Sequence, residues 1–428
     1  MSNAHGRTNF GDWKLSQTST RAEHLIYHKA AMDLALQKTF FSHPVDSTIR
    51  AASPNNRIVG YDLARGGAFF GMLLVNFSVL IGSGDPSPNW LDWVAGTIRG
   101  RAAATFVVLA GAGLSLLSKS VYLRKDRVEI NAKRSILLKR SLFLLVIGLF
   151  NFAISPISDI LHFYAFYIAL GACLLTVSNL SLWLLTAAIM ACRPLVFLAF
   201  DFIKSWELNT LADVGFLNLP GIIGHIFFNG CFPVIPWMAF ITVGIWLGRQ
   251  DFSDRALRKK ILLAGIGAVI LAESLSRVGI YLSSSAHPGR GFEKLLPFFK
   301  VESWDPMPLF MISAMGTALV VIALIMKLAD KYGNARWVLP FASVGQTTLT
   351  LYVAHIIMGT LLLWIIEEFE LEPRFFNLWA SLFFYLVALL FCKNWLKRFR
   401  KGPVEMLMRR FLLFNGAATT KVEAKVPL

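Results

Sequence analysis

Charge is what this chain has least of. Charged residues make up only 16% of its 428 positions against 55% hydrophobic, and the mean hydropathy is +0.57. That balance excludes an ordinary soluble protein of this length. Cysteine is equally sparse: Cys173, Cys192, Cys231 and Cys392 sit in or beside apolar runs without the paired spacing of a metal or redox motif, and read as packing residues. No Gly-rich nucleotide loop, no HExxH and no nucleophile elbow occurs, so no metal site is expected and none of the chemistries those motifs carry is indicated. The eight histidines leave a long gap, with none between His43 and His162. Glycine pairs four apart, Gly67 with Gly71 and Gly244 with Gly248, fit close helix packing and nothing more.

What the chain has in abundance is apolar sequence in helix-length runs. Spans are predicted at 58–81, 102–118, 137–154, 160–177, 182–200, 222–248, 261–282, 307–328, 341–366 and 376–392. The implied fold class is all-α, a polytopic membrane bundle of about ten transmembrane helices. Connectors 118–140, 248–260, 327–336 and the tail from 393 carry 25 Lys/Arg together, while the alternate connectors carry 7. Short basic loops stay cytoplasmic, so both termini are expected inside. The net charge of +16 is then a topology signal and a match to an anionic inner leaflet, and nucleic acid is not needed to explain it. Residues 1–56 read as a polar cytoplasmic extension, partly disordered or amphipathic, with a weak helical pattern over 21–41. They do not read as a signal or transit peptide, because the apolar run starts late and acidic residues intervene. The expected membrane domain covers 57–410, and 411–428 form a cytoplasmic tail.

Polar residues inside such runs carry the functional information. In RIVGYDLARGGAFFGMLLVN, positions 62, 65, 69, 72 and 76 share one helical face, so Asp62, Arg65 and Asn76 must face protein or water. A charge at the bilayer centre costs about 3 kcal/mol even on the gentlest scale. An Asp62–Arg65 ion pair explains two of the three as well as a functional cavity does. At about 1.5 Å rise per residue, Asn76 stands roughly 16 Å further out than Arg65. Arg193 lacks a partner on its own helix and needs a counter-charge from another helix or a bound anion, which places it beside Arg65 and Asn76 at one cavity. Glu273 and Arg277 could neutralise each other at i, i+4. His162 follows Asp159 by three residues in SDILHFYAFY, where the carboxylate could orient the ring as a general base or merely form an interfacial pair within an aromatic belt. His355 lacks such a carboxylate and reads as a neutral hydrogen-bonding group, and His225 ranks third.

The run from Arg57 through Asp62, Arg65-Gly66 and Asn76 resembles the first helix of the YeiB-like membrane proteins and the related heparan-alpha-glucosaminide N-acetyltransferases. FVVLAGAGLSL at 106–116, DILHFYAFY at 159–167, FPVIPWMAFITVGIWLGR at 232–249, GQTTLTLYVAH at 345–355 and GPVEMLMRR at 402–410 agree in order and spacing. The resemblance implies a transmembrane acyltransferase that moves an acyl group from cytoplasmic acyl-CoA, acetyl-CoA first, to an acceptor at the other face. Related enzymes place a catalytic His where Asn76 stands, and the heparan type uses a His in the first outer loop. Neither has a counterpart here.

On that basis the basic inner connectors, with Arg134 and Arg140, would receive the CoA phosphates, and Asp62, Arg65 and Asn76 would line the thioester's path. His162, oriented by Asp159, would take the acceptor's proton, with Asn76 or Arg193 steadying the oxyanion. The expected partners are membrane lipid, acyl-CoA, a sugar, amine or lipid-linked acceptor and a second copy of the chain, in a bacterial inner membrane. Two other readings stand beside this one: a small-solute or proton-coupled transporter, against which the lack of an internal repeat weighs, and a catalytically inactive member of the fold.

Overall fold

A backbone in hydrocarbon must satisfy its own hydrogen bonds, and runs this apolar can do so only as helices. The computed structural model describes residues 54–81, 90–124, 126–156, 159–199, 206–207, 212–213, 219–285, 295–369 and 376–414. Residues 1–53 of the N-terminal extension, with the 21–41 pattern, and the end of the tail lie outside the described residues, while residues 54–56 already belong to the first helix. In chain order the helices are α1 (Pro54–Ile81), α2 (Trp90–Ile98), α3 (Arg101–Leu117), α4 (Lys119–Arg124), α5 (Arg127–Ile154), α6 (Leu161–Cys173) and α7 (Asn179–Ala199). A minimal antiparallel pair, Trp206–Glu207 with Ala212–Asp213, precedes α8 (Leu219–Gly224). Then come α9 (Val234–Arg249), α10 (Arg255–Ser285), α11 (Leu296–Phe299), α12 (Pro308–Tyr332), α13 (Leu339–Gln346), α14 (Thr348–Glu368), α15 (Phe376–Arg398) and α16 (Pro403–Phe414).

Eight of the described helices are long and apolar enough to cross a bilayer, and the protein is an integral membrane protein. The sixth predicted span is a bent pair: α8 continues into a π-helical turn at His225–Asn229, and α9 departs at 43° after a break. The break is encoded by Pro233 at the N-cap of α9, whose missing amide cannot continue a helix. The fourth is α6, only 13 residues long. Each of the ten predicted runs therefore has a helical counterpart, but not all are straight spans.

α1 is central. It packs against α2, α3, α12, α13, α14 and α15, while α3 lies along α9, α10 along α12, and α5 along α6. The buried core draws Phe69, Leu73 and Phe77 from α1, Val107 and Leu109 from α3, Trp237 and Phe240 from α9, and Phe310 from α12. By contrast α7, α10 and α15 present Leu195, Leu198, Ile270, Leu271, Phe383 and Leu386 outward, as helices facing lipid do.

The α3–α9 crossing requires its glycines. A Cβ at Gly244 would lie 2.2 Å from the Val108 carbonyl oxygen, and one at Gly111 would lie 2.4 Å from that of Ile241. Small residues buy this backbone approach, which gives close dispersion contact where no hydrophobic effect operates. Gly148 does the same on α5, where a Cβ would stand 2.3 Å from the backbone nitrogen of His162. It thereby seats the start of α6.

Candidate active site

α6 is apolar on every side and buried almost throughout, as a helix enclosed by other helices must be. Its first turn contains polar groups that need partners there. Asp159 is fully buried and His162 is 3% exposed, so the pair lies inside the protein. The Asp159 carboxylate accepts the amides of Leu161 (3.2 Å) and His162 (3.2 Å), and Asn151 Nδ2 lies 3.5 Å away. It also receives the His162 ring at Nδ1, 2.6 Å from Oδ2. With the Nδ1 proton on the carboxylate side, Nε2 keeps its lone pair, and this buried nitrogen has no hydrogen-bond partner among the described residues. Phe152, Phe163 and the His225 ring wall it in, His225 lying parallel at 5.6 Å between centroids. An imidazole fixed by a carboxylate, with its other nitrogen unengaged, is the arrangement a general base uses.

Asn76 and His355 form a second cluster. His355 Nδ1 donates to the Tyr352 carbonyl one turn earlier, so Nε2 must accept, and Asn76 Nδ2 lies 2.9 Å from it. His355 thus has the neutral hydrogen-bonding partner its setting suggested, on α1. Tyr352 joins the clusters: its hydroxyl accepts the Ile160 amide at 3.0 Å, and its ring lies 4.7 Å from that of His355. Sequence reasoning did not find Tyr352 or Asn151. The i, i+3 spacing of Tyr352 and His355 was available, but nothing in it points to Ile160.

Toward the other end of α1, Arg65 Nη1 donates to Asp62 Oδ1 at 3.0 Å, so the local ion pair forms. Arg65 stays 30% exposed at its side chain while Asp62 is buried. Arg140 of α5 lies within electrostatic range of Arg65, Tyr164 and Glu405, and its buried Nε has no partner among the described residues. Asp62 and Arg65 are therefore in direct contact, with Arg140 in the electrostatic surroundings of Arg65. Arg134 is elsewhere, donating to the carbonyls of Ala172 (3.1 Å) and Cys173 (3.4 Å) at the end of α6. Arg193 finds its counter-charge in Asp305, just before α12, and no contact joins it to Arg65 or Asn76 among the described residues. Glu273 pairs with Arg101 at 2.5 Å and accepts from Ser313 at 2.8 Å, whereas Arg277 on its own helix is exposed.

Comparison with known families agrees with this architecture. Residues 294–415 match the family described as protein of unknown function (DUF418). No curated protein matches the chain. Residues 57–284, just over half of the chain and including Asp62, Arg65, Asn76, Asp159 and His162, match a membrane acetyltransferase family model. The chain belongs to the family described as heparan-alpha-glucosaminide N-acetyltransferase, catalytic.

Proposed function

We propose that this protein is a membrane acyltransferase that uses acetyl-CoA, taken from the cytoplasmic side, to acylate a hydroxyl or amine of a sugar, amine or lipid-linked acceptor at the outer face. The observation that carries the reading is the buried Asp159–His162 pair with its unpartnered Nε2, inside the segment that matches the acetyltransferase family. His162 Nε2 takes the acceptor's proton as its oxygen or nitrogen attacks the thioester carbonyl. The tetrahedral adduct then expels the CoA thiolate, and the proton on His162 passes to the leaving sulfur. Asp159 holds the ring in the reactive tautomer and offsets the charge it gains. Asn76, whose amide nitrogen lies 2.9 Å from His355 Nε2, is the donor assigned to the developing oxyanion.

Donor binding is assigned to the other end of α1. Arg65, paired with Asp62, and Arg140, within electrostatic range of Arg65 and Glu405, are the basic groups assigned to the donor's phosphates. Arg134 contributes by fixing the end of α6. Arg193, bound to Asp305, braces the outer loop ahead of α12. Both termini are assigned to the cytoplasm, from the Lys/Arg distribution.

Purified protein in proteoliposomes, given radiolabelled acetyl-CoA and a panel of amino sugars, tests the reading. His162→Ala should lower acetyl transfer by roughly 10²-fold or more, the usual scale for a positioned general base, while acetyl-CoA binding stays near native. Because the buried Asp159 loses a partner, the unfolding midpoint should also fall, and rates are compared below it. Full transfer by a well-folded His162→Ala protein would remove His162 as the base.

A further inference from the structure

The basic end of α15 carries a feature that acyl transfer does not use. Its sequence is apolar as far as Cys392 and then turns to Lys393, Asn394, Trp395, Lys397 and Arg398, so the hydrocarbon boundary falls near Phe391. Val387, Leu390, Phe391, Asn394 and Arg398 recur at three- and four-residue spacing and form one stripe across that boundary. The stripe lines an open surface groove of about 500 Å³, formed by one face of α15 and Phe399 just beyond it. Its floor is rigid: the Trp395 ring stacks on Phe391 at 5.4 Å and on Phe399 at 4.4 Å, and the indole nitrogen donates to the Lys401 carbonyl at 2.9 Å.

The apolar half is bare, with Leu390 56% exposed, because α15 turns Ala388 and Cys392 toward the protein instead. The polar half holds a cation with no acidic partner. Arg65, Arg101, Arg193 and Arg258 each meet a carboxylate, whereas Arg398 is exposed and has no ion pair or hydrogen bond among the described residues. A greasy channel ending at an unpaired guanidinium on the membrane boundary has the charge and shape of one molecule: a phospholipid with an anionic headgroup.

We propose that this groove binds one anionic phospholipid, its acyl chain along Val387 and Leu390 and its phosphate on Arg398. The apolar half alone would accept any lipid chain, so headgroup preference comes from Arg398, with Asn394 beside it. The site is independent of the acyl-transfer reading.

The full chain, delipidated in neutral detergent, is titrated with phosphatidylglycerol and with phosphatidylcholine, and bound lipids are counted by native mass spectrometry. One phosphatidylglycerol should bind about tenfold more tightly than phosphatidylcholine, whose choline cation offsets the phosphate charge that Arg398 meets. Arg398→Gln should abolish that preference. Val387→Trp, which fills the apolar half, should weaken both lipids. Arg400→Gln, outside the groove, should leave the preference intact. The assignment fails if Arg398→Gln retains the preference, if Arg400→Gln loses it equally, or if acetyl-CoA displaces the lipid competitively.

Discussion

Asp159 gathers the polar contacts of the candidate site on one carboxylate. It has no solvent, and a buried charge is tolerable only when hydrogen-bonded. Two backbone amides and the His162 ring supply those bonds, so the residue that starts α6 also orients the candidate base. Asp159→Asn removes charge and orientation but not the proton acceptor. It should lower acetyl transfer by about tenfold, less than His162→Ala does. Steady-state rates on both variants, with thermal stability measured in parallel, check the order. Asn76 makes a different contribution. Asn76→Leu would leave His355 Nε2 without its donor inside the protein, which should destabilise the fold by about 1–3 kcal/mol, read as a lower midpoint of thermal unfolding in detergent.

At the scale of elements, two junctions hold the site in place. The α3–α9 crossing depends on absent side chains, and Gly244→Val would force those helices apart, at a cost of about 3 kcal/mol or more in a core that cannot expand. Equal thermal stability of Gly244→Val and the native protein would contradict that packing. The second junction is α16 against α14, where Glu405 accepts the Leu349 amide (2.8 Å), the Thr350 amide (3.2 Å) and the Thr350 hydroxyl (2.5 Å). Glu405 therefore caps the helix that carries Tyr352 and His355. Burial pushes its carboxyl above the usual range, and the Thr350 and backbone hydrogen bonds pull it back only in part. The folded chain then holds this proton more readily than the unfolded chain does. Its contribution to stability is full below the unfolded value and is lost as pH rises through the folded one. As pH rises above the ordinary carboxylate value, the unfolding midpoint should fall, and fall less in Glu405→Gln. Identical slopes would exclude Glu405 as the source.

For the whole molecule, the strongest expectation is its orientation. Connectors with 25 and 7 Lys/Arg alternate strictly, and such asymmetry fixes which loops cross. Cysteines placed at Ser87 and Asn131, in a chain with Cys173, Cys192, Cys231 and Cys392 replaced, should react with an impermeant reagent from outside at 87 and not at 131. The reverse pattern would invert the protein and contradict the proposed donor site at Arg65 and Arg140.

The helical runs and the charge asymmetry were legible in the sequence because each depends on local composition against a fixed hydrocarbon thickness, whereas the ten predicted spans reduce to eight straight ones, or nine with the bent pair. So was the contact between Asp159 and His162, which needs only one helical turn, as does that between Asp62 and Arg65. The Pro233 break could be read for the same reason, although the π turn before it could not. Partners that lie far apart in the chain were decided only by tertiary packing. Arg193 needed a counter-charge, but nothing local named Asp305. Glu273 had Arg277 one turn away yet pairs with Arg101, because α10 lies against α12 and turns that carboxylate toward Ser313 and α3. Asn76 and His355, 279 residues apart, meet because α14 packs on α1, and Tyr352 reaches Ile160 from that same helix. Periodicity fixes which face a residue occupies, while the residue it faces depends on which helices pack together.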